Sequence, residues 1–157
     1  MVMSELSSIV SSAFAEEYRW RAVELHKWVD PLTEAQFWRN PYSYGNSVGH
    51  LVLHLTGNLS YYIGARIAGT GYIRNRDLEF TDATRLSKAE VLRKFDDTIA
   101  QVAATAEQQS ECDWVLPYTA EREPQATTRY AAFFRCAVHL YHHLGQIIYL
   151  CRELCKS

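Results

Sequence analysis

TRYAAFFRCAVHLYHHLGQIIYL, residues 128–150, is the stretch on which the fold turns. It contains no Pro and one Gly, and its apolar residues recur at helical spacing. It also carries three of the six His of the chain, His139, His142 and His143. His139 and His143 stand four residues apart, about one helical turn and about 6 Å of rise. Side chains at i and i+4 share a face of a helix. Two imidazoles so placed are able to hold one metal ion, as in helical His-x-x-x-His sites. The question that follows is which residue supplies a third ligand.

Working outward, the stretch reads as the fourth and last long helix, running from Thr128 to about Leu154. Before it, residues 112–127 hold Trp114, Val115, Leu116 and Tyr118, and then a polar run. Pro117 and Pro124 argue against a helix there, so the segment is expected to be a loop with an inward-turned apolar knot. Ser87 and Glu90 match a capping box that opens the third helix, which fades near Gln109. Residues 72–86 are polar and charged and are expected to be an exposed connection with little regular structure. Residues 47–70 read as the second long helix, with Val48, Leu51, Leu55, Leu59 and Tyr62 as its stripe and Gly69 and Gly71 at its end. Residues 39–46 are punctuated as a loop. Thr33 caps one or two turns reaching Trp38. The first helix runs from Ser4, a candidate cap, to Val29, and stops at Asp30-Pro31. Its expected stripe is Leu6, Ile9, Val10, Ala13, Phe14, Trp20, Val23 and Trp28. Four long helices with short connections predict an all-α fold, an antiparallel four-helix bundle, as a single domain over 1–157.

Composition narrows the function. The chain has 157 residues and a net charge of −2, which gives no electrostatic argument for nucleic acid or for an anionic membrane. Aromatic residues make up 13%, with ten Tyr and four Trp, types that suit pocket walls and interfaces. No run is long and apolar enough to suggest a membrane span or a signal peptide. Cys112, Cys136, Cys151 and Cys155 form no C-x-x-C pair, so a reducing cytoplasm is the expected location. Cys151 and Cys155 fall on the apolar stripe and are expected to pack. Gly145 is expected to be a point of close approach between helices.

The second helix offers the third ligand. Its segment SVGHLVLHLTGNL holds His50 and His54, again at i and i+4. On a wheel of about 100° per residue, His54 borders the apolar stripe and His50 points further toward solvent. On the last helix, His142 belongs to a polar wedge with Arg135 and Glu153, while His139 and His143 sit beside it. The arrangement that best satisfies both helices brings His54, His139 and His143 together at the edge of the core. Three protein ligands leave a position open for water or substrate, as in catalytic zinc sites. His50 and Cys136 remain further candidates at this stage, Cys136 as a soft ligand or a buried small hydrophobe. Gln146 stands close to His143, as a partner of the site or a plain polar position. His26 is isolated and reads as surface or packing.

The segments HLVLHLTGNL and HLYHHLGQI resemble the two signatures of the DinB-like (DinB/YfiT) superfamily, and the order of elements fits over nearly the whole chain. The resemblance implies a four-helix bundle, a metal bound by three His, often zinc or nickel, and frequent homodimers. By position those His are His54, His139 and His143. Some relatives resemble thiol S-transferases that use bacillithiol or mycothiol, and one group isomerises maleylpyruvate with mycothiol.

Two functions are therefore expected as alternatives. One is a divalent-metal enzyme of the thiol S-transferase type acting on a small electrophile, with metal-dependent hydrolysis as its chemical neighbour. An open-site metal lowers the pKa of a bound thiol or water and so creates a nucleophile. Tyr42, Tyr44, Tyr61 and Trp114 are candidates for its pocket wall. The other is a metal-stabilised binding or dimerisation module without turnover. The last helix is apolar over most of its circumference, which favours a homodimer. The helix phase makes a sharp prediction: His142→Ala retains metal, whereas His139→Ala loses it. Elemental analysis of the two purified variants checks this, and the reverse result means that the phase is wrong.

Overall fold

Helix boundaries in this chain are set by hydroxyl caps. Thr33, Ser47, Ser87, Ser110 and Thr128 each adopt an extended backbone, and each side-chain oxygen accepts a backbone N–H of the turn that follows. At Thr33, Ser87 and Ser110 the third helical residue reaches back to complete a capping box. The computed structural model describes residues 5–81 and 86–156, so the proposed cap Ser4 lies outside the described residues. Within them run α1 (Glu5–Val29), α2 (Glu34–Trp38), α3 (Val48–Leu59), a π-helical segment (Ser60–Ala65), α4 (Leu78–Thr81), α5 (Lys88–Glu107), α6 (Glu111–Trp114) and α7 (Arg129–Leu154). The fold is all-α. The described residues contain no strand, only one isolated bridge between Pro117 and Thr128. No described helix is long and apolar enough to cross a membrane.

The long helices pack in a closed set of pairs. α1 lies against α5 and α7, and α3 lies against the same two. Leu25, Phe37, Leu55, Phe95, Phe133 and Leu140 are among the fully buried side chains between them. Directed bonds fix the register. Tyr18 Oη donates to the Phe133 carbonyl at 2.7 Å, and Ser11 Oγ donates to the Gln109 carbonyl at 3.0 Å. Lys88 Nζ donates to the Asp30 and Leu32 carbonyls at 2.7 and 2.6 Å, placing a cation at the C-terminal end of α1.

Three expectations from the sequence need correction. First, α1 buries Ser7, Ser11, Ala15, Tyr18, Ala22, Leu25 and Val29, and turns Leu6, Ile9, Trp20 and Val23 outward, Trp20 and Val23 at 65% and 66% exposure. The small residues on the inner face leave room for close packing against α5 and α7. Second, the helix expected over 47–70 is regular α-helix to Leu59 and then widens into the π-helical segment. Arg66 N–H then bonds the Tyr61 carbonyl and Ala68 N–H the Ile63 carbonyl, both i to i−5. That widening rephases the chain so that Tyr62, Ile63 and Gly64 are all buried. Gly69 and Gly71, at φ 69° and 74°, then turn it away. Third, the connection expected to be exposed over 72–86 is partly ordered as α4 and drives Glu79 into the interior.

Smaller expectations divide. Trp114 and Tyr118 turn inward, but Val115 and Leu116 do not, and a turn of helix, α6, precedes them. Cys151 is buried and Cys155 exposed. Gly145 faces solvent, with nothing within 4 Å of where a Cβ would stand, so it mediates no close helix contact.

His26 links α1 to α5. Its Nε2 lies 2.8 Å from Asp96 Oδ1 and its Nδ1 lies 2.9 Å from Asp30 Oδ1. Burial alone would lower its pKa, but hydrogen bonds to Asp96 and Asp30 outweigh it and raise the pKa above the ordinary value. A raised folded-state pKa stabilises the fold below the unfolded value, about 6.5, and that stabilisation is lost as pH rises through the folded value. Chemical denaturation should therefore show His26→Gln losing most stability relative to wild type near about pH 5.5, with the gap narrowing by about pH 8. A gap that widens toward high pH contradicts the ion pair.

Candidate metal centre

Three imidazoles meet where α3 faces α7. The cap at Ser47 starts α3 in a phase that buries Leu51, Leu55 and Leu59, and that phase also buries His54, which is 5% exposed. The cap at Thr128 starts α7 in a phase that buries Cys136, Leu140, Leu144 and Ile147 and leaves His139 and His143 half-buried beside them. The result is a group in which one ring nitrogen from each of His54, His139 and His143 lies within 4.8 Å of the others. Ring centroids are 5.1 Å apart for His54 and His139, 4.9 Å for His54 and His143, and 4.5 Å for His139 and His143, all steeply inclined.

The protonation pattern follows from the outer partners. His54 Nδ1 is 2.7 Å from Glu79 Oε2, an acceptor, so Nδ1 carries a proton, and in the neutral ring Nε2 keeps its lone pair. His143 Nδ1 is 2.7 Å from Gln146 Oε1, which assigns the same tautomer. Gln146 Nε2 in turn donates to His142 Nε2 at 3.3 Å. His54 Nε2 lies 3.0 Å from His139 Nε2. Burial first, and then the like charges of His143 and His54, push His139 down to about 3. Burial pushes His143 down to about 4 against the opposing effect of the hydrogen bond it donates to Gln146. Both are neutral imidazoles at pH 7, the form that ligates metals. The donor set therefore fits a divalent ion of borderline softness, and it could hold one.

Other candidates fall outside this group. His142 is exposed. His50 Nδ1 is paired with Ser47 Oγ at 2.9 Å, and its ring meets Trp38. Burial pushes the Cys136 thiol up to about 12, so it packs as a neutral thiol. The four proposed wall aromatics make no ring contact with the imidazoles. Tyr42 and Tyr44 stack on each other, and Trp114 packs among Phe14, Tyr130 and Phe133. Tyr61 lines a groove of about 530 Å³ with Arg74, Arg76 and Arg122. The aromatic against the site is Phe80, 4.9 Å from the His54 ring.

Sequence reasoning missed Arg74, Glu79 and Phe80 because a charged connector reads as solvated. One signal was available. Gly57 stands one turn beyond His54, and a Gly inside a helix often marks close approach of another segment.

Residues 17–147 match the family model described as the DinB superfamily. No curated protein matches the chain.

Proposed function

The chain belongs to the DinB superfamily, and on that premise we propose that it is a divalent-metal enzyme of the thiol S-transferase type. The observation that carries this reading is the meeting of three imidazoles, two with their outer nitrogens already bonded to acceptors. His54, His139 and His143 hold the ion, zinc or nickel. When bound, it supplies Lewis acidity that lowers the pKa of a thiol at its open position. Neutral imidazoles cancel none of its charge, so the set favours an anionic sulfur over a neutral one. The half-buried placement of His139 and His143 leaves an approach from solvent. The sulfur of a low-molecular-weight thiol would attack an electrophilic carbon of a small substrate, forming a C–S bond as the bond from that carbon to an anionic leaving group or to an epoxide oxygen breaks. The thiol proton goes to solvent, and the leaving group departs as its anion or the opened alkoxide takes a proton from solvent. No side-chain nucleophile is required.

In this reading α1, α3 with its π-helical continuation, α5 and α7 form an antiparallel four-helix bundle, and residues 1–157 act as one cytoplasmic domain. Nucleic acid and membrane are not partners. A second copy of the chain is. Support comes from the apolar side chains left outside, Trp20 and Val23 on α1 and Phe134, Val138 and Tyr141 on α7, more exposed apolar surface than a solitary subunit needs. Light scattering at micromolar concentration should give a dimer mass, and a monomer mass removes this part of the proposal.

The activity test uses protein purified without added metal and without a His tag. Elemental analysis should find about one divalent ion per chain, the number that one three-ligand open site holds. The protein is then incubated with an aromatic or epoxide electrophile and with bacillithiol, mycothiol or glutathione in turn. Adduct should form only with a thiol and disappear in His143→Ala. Turnover of esters without thiol would replace transfer by hydrolysis, and no turnover with metal present would leave a non-catalytic module.

A further inference from the structure

The buried side chain of α4 is a charged one. Glu79 is 6% exposed and Arg74 nearly as covered, so both charges are held largely out of water. A buried ion pair loses hydration that its Coulomb attraction often fails to recover. What the pair does is spatial. Arg74 Nε donates to Glu79 Oε1 at 2.7 Å, and an Nη donates to Oε2 at 2.9 Å, a two-point grip that fixes the plane of the carboxylate. Oε2, so fixed, accepts from His54 Nδ1 at 2.7 Å. The carboxylate is therefore on the side of the His54 ring away from Nε2 and from the other two imidazoles, and it is not a member of the ligand group.

A second residue exists to admit it. A Cβ at Gly57 would overlap Glu79 Oε1 and stand 2.9 Å from its Cδ. Gly in mid-helix costs α3 about 0.5–1 kcal/mol relative to Ala. Here it opens the notch in which the carboxylate rests, one turn beyond the His it contacts. Arg74 also lies over the Tyr62 ring, 5.6 Å from its centroid, so the π-helical segment helps to seat the guanidinium.

We infer that Glu79, gripped by Arg74 and admitted by Gly57, is a positioning residue that holds His54 in its Nδ1–H tautomer and makes its Nε2 a stronger donor toward a metal ion. This rests on the proposed metal site. The inference adds that the connector over 72–81, and not only the two helices, sets how tightly that site binds. Carboxylates bonded to a ligating imidazole fix its ring and raise its basicity. Arg74 has a second consequence. Its charge offsets that of Glu79, so the centre keeps the net positive charge that favours an anionic sulfur.

The experiment has two readouts that do not require turnover. Long-range proton–nitrogen NMR of metal-free protein with labelled His, the His54 signals being assigned by their absence in His54→Gln, should show His54 protonated on Nδ1. In Glu79→Ala the Nε2–H tautomer should gain population. Competition with a chelator for Zn²⁺ should show Glu79→Ala and Gly57→Ala each binding about 10- to 100-fold more weakly than wild type. Glu79→Gln keeps the packing and should also weaken binding, so the inference is judged on it if the Ala variants do not fold. A wild-type His54 protonated on Nε2 overturns the inference, and so does unchanged Zn²⁺ affinity in Glu79→Gln and in whichever Ala variants fold. A wild type that binds no Zn²⁺ overturns the metal-site reading instead, and the tautomer measurement then judges Glu79 alone.

Discussion

His54 Nε2 on α3 and His139 Nε2 on α7 lie 3.0 Å apart, and two imidazole lone pairs at that distance repel unless a proton or a cation sits between them. Nδ1 of His54 is already committed to Glu79, so that ring cannot relieve the repulsion by moving its own proton inward without breaking a buried hydrogen bond. His139, kept neutral by a pKa pushed down to about 3, relieves it without metal by carrying its one proton on Nε2 and donating to His54. A divalent ion would take the place of that proton and would also use the lone pair brought by His143. The helix phases, the caps that set them and the connector that locks His54 all converge on this one contact.

That convergence explains why polar groups appear where a purely apolar core would be more stable. α3 tolerates Gly57, α4 buries a carboxylate, and α7 gives half-buried positions to His139 and His143. Each is unfavourable alone. Together the hydrogen bonds of Glu79 and Gln146 satisfy the outer ring nitrogens and leave the inner ones for a ligand. α1 makes the complementary choice. It uses Ser7, Ser11 and Ala15 to approach its neighbours and leaves Trp20 and Val23 outside.

The helical class and the meeting of the three imidazoles were legible because both depend on local periodicity. His139 and His143 at i and i+4 must share a face whatever they pack against, and His54 could be placed from the stripe of Leu51 and Leu55. The inward face of α1 was not legible, because an apolar stripe is sought among large side chains and the buried face here includes Ser7, Ser11 and Ala15. The π-helical segment was invisible to any analysis that assumes 3.6 residues per turn. Glu79 was missed for a different reason. Nothing local distinguishes a carboxylate bound for solvent from one bound for an imidazole 25 residues earlier in the chain. Only the notch at Gly57 marks the destination.

The central claim is that His54, His139 and His143 ligate one divalent ion together and leave part of its coordination open. X-ray absorption of the Zn²⁺-loaded protein measures this directly. The account predicts three imidazole nitrogens at about 2.0–2.1 Å, no sulfur at about 2.3 Å, and at least one further light atom from solvent. The three-imidazole signal should be lost in His54→Ala, which no longer holds the ion. A sulfur in the first shell, a shell of four protein ligands, or a count unchanged by loss of His54 would contradict it.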